Sequence, residues 1–280
     1  MNSELIISSP IVSVEWLQKH LSHPNVIILN ATIPKVTGND TDLNKNQIPS
    51  ARFFDLKKKF SDVSAPFPTT FPTEIQFENE AQALGINKNS AIVVYDEKGI
   101  YSSPRAWWLF KAFGFNNVAV LNGGFPVWEK ANYKTEIKQD NNGKKGNFKA
   151  SLQPKYMKFF NDVINASQNR NQLILDARSE ARFKSLEAEP RVGLRSGNMP
   201  NSENLPFENL INNQGLLKSE AELKKLFLPL AKTNQDIIFS CGSGITACVL
   251  ALGAELVGYK NLSVYDGSWT EWGSLTTDSN

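Results

Sequence analysis

The sequence predicts an α/β protein made of two similar halves, each a mainly parallel sheet flanked by helices. Three observations predict this. Short β-branched runs alternate with helical stretches along the chain. The strand runs are apolar on consecutive residues, as strands buried on both faces require. The second half repeats the plan of the first at an offset near half of the 280 residues, which means two copies of one domain.

In the first half, Val26-Ile27-Ile28-Leu29-Asn30 is a strand run, and Ile48-Pro49-Ser50-Ala51 follows it. Thr73 with Gln76 three residues later has the pattern of a helix start with a capping box. Ile92-Val93-Val94-Tyr95-Asp96 is the next strand. A short glycine-containing loop then leads to a helical stretch from Pro104 to Gly114, the strand Val118–Leu121 and the ending Gly123-Gly124-Phe125-Pro126-Val127-Trp128.

The second half answers each of these. Leu173-Ile174-Leu175-Asp176 pairs with the first strand, Met199-Pro200-Asn201-Ser202 with the Ile-Pro segment, and Ser219 with Glu222 repeats the capping pattern. Ile237-Ile238-Phe239-Ser240-Cys241 leads through a glycine loop into the apolar stretch Ala247–Gly258. The strand Leu262–Tyr265 and the ending Gly267-Ser268-Trp269-Thr270-Glu271-Trp272 complete it. Between the copies, Lys138 to Asn147 has almost no apolar content and reads as an exposed linker. The expected limits are 1–137, a linker at 138–151, and 152–280.

Apolar residues make up 41% and charged residues 21%, so a core forms without disulfides or metals. The net charge of +2 and a longest basic run of Lys57-Lys58-Lys59 argue against nucleic acid or a membrane surface as partner. No apolar run reaches the ~18 residues of a membrane span. The opening residues carry Glu4 where a signal peptide wants a base, and Ser8-Ser9-Pro10 breaks the apolar run that follows, so a cytoplasmic protein is expected. With two cysteines and two clustered histidines, His20 and His23, neither a metal site nor a cofactor is predicted. If a helix linked Cys241 and Cys248 they would lie about 10 Å apart, too far for a disulfide.

In open α/β sheets, ligands bind outside the carboxyl ends of the strands. Asp96 and Cys241 occupy such ends, and of the two only the cysteine is a strong nucleophile at neutral pH. Cys241 begins the loop Gly242-Ser243-Gly244-Ile245-Thr246, after which the helix starts. Two glycines let the backbone curl so that several amides face one spot, and the helix N-terminus adds its positive end. The expected result is an anion cradle around the sulfur of Cys241 that favours a thiolate. Cys248, inside an apolar helical run, reads as a core residue.

The run from Cys241 to Cys248 resembles the active-site loop of mercaptopyruvate sulfurtransferases, two-domain members of the rhodanese family. So do Asp176-Ala177-Arg178, Arg182-Phe183, Glu187…Glu189-Pro190-Arg191, Gly197-Asn198-Met199-Pro200 and Gly267-Ser268-Trp269…Glu271-Trp272. In the first half, Ile48-Pro49, Phe53-Phe54-Asp55 and Gly123-Gly124-Phe125 extend the likeness. The resemblance implies two tandem rhodanese-like domains, the first a non-catalytic copy and the second catalytic. It implies Cys241 as the residue that carries sulfur as a persulfide. It also implies Arg182 and Arg191 as partners of the donor's carboxylate, a task that suits the planar fork of arginine. From the residues alone, both arginines could equally pair with Glu180, Glu187 or Glu189. Arg178, beside Asp176, reads as a structural ion-pair residue.

Relatives that prefer thiosulfate carry bases directly after the cysteine, whereas Gly242 and Ser243 are neutral here. The uncharged loop favours 3-mercaptopyruvate as donor, and the resemblance implies thioredoxin or a small thiol as acceptor, with cyanide as the usual test acceptor. Two positions depart from the family pattern: Thr69 stands where relatives often have a histidine, and Lys57 where many have an acid.

Four other readings compete. A cysteine-dependent phosphatase needs Cys-x5-Arg, and the arginine position is Ala247. A Cys-x-x-Cys oxidoreductase is excluded by the six residues between the cysteines. A thiosulfate-specific enzyme, or a sulfur-carrier or regulatory module with little turnover, remains as the alternative.

Overall fold

A computed structural model of the chain describes residues 4–34, 45–140, 143–169 and 172–277. Asn141 and Asn142 of the polar stretch lie outside them. Two five-stranded sheets, parallel throughout, form the framework. The first contains β1 (Ile11–Val12), β2 (Val26–Asn30), β4 (Arg52–Phe53), β5 (Ala91–Tyr95) and β6 (Val118–Leu121), in the order β1-β6-β5-β2-β4. A separate antiparallel pair joins β3 (Asn46–Gln47) to β7 (Glu136–Ile137). The second sheet contains β8 (Met157–Lys158), β9 (Leu173–Asp176), β10 (Ser202–Asn204), β11 (Ile237–Ser240) and β12 (Leu262–Tyr265), in the order β10-β9-β11-β12-β8. Read from β8, this is the strand order of the first sheet.

The central strands are buried along their whole length, as their unbroken apolar runs predict: every residue of β5, β6, β9, β11 and β12 is buried. Helices cover both faces. In the first unit, α1 (Val14–His20) and α4 (Gly124–Lys130) bury Leu17, Phe125 and Trp128 against Ile28, Val93 and Tyr95. On the other face, α2 (Glu74–Ala83) and α3 (Ser103–Ala112) contribute Phe77 and Phe110 to an aromatic cluster with Phe54, Phe60 and Phe148. Each such ring is worth about 1.5–3 kcal/mol for its burial.

In the second unit, α5 (Phe160–Asn169) and α9 (Ser268–Leu275) bury Val163, Trp269 and Trp272 against Ile174, Ile238 and Tyr265. The short α6 (Glu180–Phe183) carries Arg182, and α7 (Glu220–Phe227) packs beside α8 (Ala247–Leu256). In α8, a side chain at Gly253 would press within 2.6 Å of Leu210, so glycine permits the close approach.

The capping patterns differ in outcome. Ser219 and Glu222 form a full capping box. Thr73 accepts from the Gln76 amide, but the Gln76 side chain donates to the carbonyls of Lys59 and Ser61 instead of returning to the cap. The box is therefore half made, because a tertiary partner takes its second arm.

By contacts the chain falls into two compact units. The first is Met1–Asp62, Phe71–Gln153 and Asn213–Leu217; the second is Val63–Thr70, Pro154–Asn212 and Lys218–Asn280. Each unit thus takes a short segment from the other half of the sequence. Much of the stretch read as a linker lies along the first unit: Gly146 N–H donates to the Gln82 carbonyl at 2.8 Å and Phe148 N–H to that of Ile86 at 3.0 Å. Phe148 itself is fully buried. Among the described residues, no helix is long and apolar enough to cross a membrane.

Candidate active site

Cys241 follows the carboxyl end of β11 and is 2% exposed. The residues from Gly242 to Thr246 form the loop that the glycines predict, and α8 starts at Ala247. Neither Cys241 nor Cys248 is in a disulfide. Cys248 is buried in α8 and its Sγ donates to the Gly244 carbonyl at 3.3 Å. Gly244 has φ +73°, the left-handed turn that needs a glycine here.

The carbonyls of the loop are held one after another. That of Cys241 accepts from Trp269 N–H at 2.9 Å, and that of Gly242 accepts from the Thr270 amide at 2.9 Å and the Thr270 hydroxyl at 2.5 Å. The Ser243 carbonyl accepts from the Thr69 hydroxyl at 2.8 Å. A trans peptide is planar, with its C=O and N–H on opposite sides. Fixing the Cys241 and Gly242 carbonyls onto α9 therefore turns the amides of Gly242 and Ser243 away from that helix. Among the described residues, the amides of Gly242, Ser243, Ile245, Thr246 and Ala247 have no protein acceptor. Ile245 is buried and Thr246 half-buried where the loop enters α8.

Both predicted arginines reach this loop. A Cβ on Gly242 would lie 3.3 Å from Arg182 Nη2 and 3.6 Å from Arg191 Nη1, so the bare glycine lets two guanidiniums come close. Arg191 Nη2 donates to Ser243 Oγ at 3.3 Å. Arg182 is also ion-paired: its Nη2 lies 2.5 Å from Glu189, whose carboxylate is fully buried and also takes Arg178 Nη1 at 2.7 Å. Of the glutamates weighed as partners, Glu189 pairs with Arg182 and Glu180 pairs with Lys184. Arg178 forks onto Asp176 and stacks on Trp269 at 4.4 Å. Burial opposes its charge, but Asp176 and Glu189 outweigh that and hold the guanidinium above its usual value. Glu189 therefore fixes Arg182 through a buried four-residue network.

Thr69 reaches the loop through its hydroxyl and lies in the left-handed region at φ +58°. Lys57 is exposed in the first unit, where its amide and that of Lys58 donate to Asp55.

The first unit carries the same loop with a different centre. Asp96 follows β5 as Cys241 follows β11, Gly99 matches Gly244 with φ +96°, and Phe125 N–H donates to the Asp96 carbonyl at 3.0 Å as Trp269 N–H does to that of Cys241. Here the loop closes on its own side chain. The Asp96 carboxyl accepts from the amides of Lys98, Tyr101, Ser102 and Ser103 and from the Ser103 hydroxyl, at 2.7–3.0 Å. Full burial pushes this carboxyl above its ordinary range, against the donors that hold it down.

Comparison with known proteins settles the family. The model of the rhodanese-like domain matches residues 13–131 and again 160–275. The chain belongs to the rhodanese-like family. It is 36% identical to the 3-mercaptopyruvate sulfurtransferase of Mus musculus, over 94% of this chain and 91% of that one. It is also 36% identical to the mitochondrial thiosulfate/3-mercaptopyruvate sulfurtransferase 1 of Arabidopsis thaliana, over 96% and 77%. Among solved structures, the 3-mercaptopyruvate sulfotransferase of Escherichia coli matches with a TM-score of 0.83 at 32% identity, covering 94% of this chain and 99% of that chain. Each unit described above is thus a rhodanese-like copy.

Sequence reasoning did not assign roles to Ser268 or Thr270, and it weighed Glu189 as an arginine partner without its second ion pair, to Arg178. Their motifs were visible, but the contacts that matter run to backbone groups or to a second arginine, and residue type alone does not report these.

Proposed function

We propose that this rhodanese-like protein is a sulfurtransferase that takes sulfur from 3-mercaptopyruvate onto Cys241 and passes it to a thiol acceptor. The supporting observation is the convergence of the Cys241 loop with Arg182 and Arg191 at Gly242. The Cys241 thiolate attacks the donor sulfur. The donor's C–S bond breaks and its electron pair leaves with carbon as the enolate of pyruvate, which takes a proton from water. Arg182 and Arg191 hold the carboxylate, and the Ser243 hydroxyl with the amides of Gly242, Ser243, Ile245 and Thr246 faces the developing negative charge. An acceptor thiolate, on thioredoxin or a small thiol, then attacks the outer sulfur of the persulfide. The S–S bond breaks, returning Cys241 as thiolate and leaving the acceptor as a persulfide. In this reading the first copy, centred on Asp96, has no nucleophile and is non-catalytic.

Thiosulfate is the second donor to consider, since the Arabidopsis relative is named for both. Neutral Gly242 and Ser243 favour mercaptopyruvate. The two half-reactions predict ping-pong kinetics, with parallel double-reciprocal lines for pyruvate release against a thiol acceptor. Turnover with thiosulfate and none with mercaptopyruvate would overturn the donor assignment. A cytoplasmic location belongs to the same proposal, and cell fractionation tests it against the mitochondrial location in the Arabidopsis relative's name.

A further inference from the structure

Ser268, the first residue of α9, has φ +49° and is completely buried. A non-glycine residue in this region is strained, and its persistence asks what the side chain supplies. The first copy answers by contrast: its counterpart is Gly124, at φ +58°, where a Cβ would collide with the carbonyls of Gly99 and Asp96 at 2.3 and 2.4 Å. The backbone turn therefore does not require a side chain. What Ser268 adds is one hydroxyl. Its oxygen accepts from the Cys241 amide at 3.1 Å and the Gly244 amide at 3.0 Å, while its proton goes to the Tyr265 carbonyl at 2.8 Å.

Those two amides bracket the segment that carries the nucleophile. Planar peptides transmit their orientation: with the Gly244 N–H on Ser268, the Ser243 carbonyl must face the other way, where it meets Thr69. With the Cys241 N–H on Ser268, the Ser240 carbonyl faces Ala177 N–H at 2.8 Å. One hydroxyl thus ties both ends of Cys241-Gly242-Ser243-Gly244, and α9 holds the carbonyls of Cys241 and Gly242. In the first copy, the carboxyl of Asp96 gathers its loop from within. The second copy has a cysteine at that position, and its loop is gathered from behind.

We infer that Ser268 is a positioning residue for sulfur transfer, its hydroxyl fixing the Cys241 loop in the shape that receives the donor and holds the persulfide. This rests on the proposed role of Cys241 as sulfur carrier. Ser268→Gly tests it, because glycine suits the backbone angle and is the residue of the first copy; Ser268→Ala is the companion. Single-turnover loading from 3-mercaptopyruvate separates folding from positioning. The amplitude reports the folded fraction and the rate reports the loop. The expected result is wild-type amplitude with a rate about ten- to a hundredfold slower, and a KM within about threefold because Arg182 and Arg191 are untouched. Hydrogen exchange supplies a readout that needs no donor: the amides of Cys241 and Gly244 lose protection while those of β11 keep theirs. A folded Ser268→Gly protein that loads at the wild-type rate, or leaves both amides protected, overturns the inference. A wild-type protein that accepts no sulfur defeats the sulfurtransferase reading, and with it the positioning role, whereas the exchange arm alone still decides whether the hydroxyl ties the loop.

Discussion

The two halves of this molecule make the same strand–loop–helix turn and fill it differently. After β5, the loop folds around Asp96, and four amides and a hydroxyl converge on its carboxyl. After β11, the residue in that place is Cys241. The counterparts of three of those amides, on Ser243, Thr246 and Ala247, have no protein acceptor among the described residues. The first copy displays, with its own side chain, how this loop grips an acidic group. The second keeps the same donors around a nucleophile and places Arg182 and Arg191 beside them. One scaffold is thus a self-satisfied structural unit in one copy and a candidate sulfur-binding site in the other, and the difference turns on a few side chains rather than on topology.

The largest effect that would break this contrast is on substrate. Arg191→Ala should raise the KM for 3-mercaptopyruvate about ten- to a hundredfold with a smaller change in kcat, by loss of a charge-assisted partner; initial rates of pyruvate release measure it. An unchanged KM would assign the carboxylate elsewhere. Arg182 is a poorer probe, because its removal also leaves Glu189 one partner short.

In the first copy the same kind of truncation should cost stability. Asp96→Ala strands the donors of its loop and should lower unfolding stability by about 3 kcal/mol, read by urea denaturation. The sulfur loading of Cys241 should remain. A neutral effect would mean that the Asp96 cluster is easily replaced by water.

The smallest effect concerns pH. Burial, with the charge of Asp266, pushes the half-buried Glu271 carboxyl up. A carboxyl raised in the folded state binds protons that the unfolded chain has already lost. Its contribution is complete below the ordinary glutamate value of about 4.3 and is lost as pH rises through the folded value. Glu271→Gln should remove this loss, making the variant relatively more stable at neutral pH than at acid pH by less than about 1 kcal/mol. Denaturation midpoints at several pH values test the sign.

Much of this was legible in the residues. The repeat, the buried strands and the position of Cys241 follow from unbroken apolar runs and from glycines after a strand, both local signals. The exchange of Val63–Thr70 and Asn213–Leu217 between the units is not local. Nor is the docking of Phe148, a lone aromatic beside a polar stretch whose partners lie in α2 and α3. The tie from Ser268 to Cys241 spans 27 residues and uses a backbone amide, so no pairing of side-chain types announces it. Gln76 shows the reverse case, a local capping pattern overridden by two carbonyls from another segment.

The central claim is that Cys241, and nothing in the Asp96 loop, carries the transferred sulfur. The most direct test is intact mass spectrometry of the protein after exposure to 3-mercaptopyruvate, with peptide mapping and with Cys241→Ser alongside. The account predicts one added sulfur, mapped to Cys241, released on addition of a thiol and absent from the variant. Sulfur retained by Cys241→Ser, or found on Cys248, would contradict it.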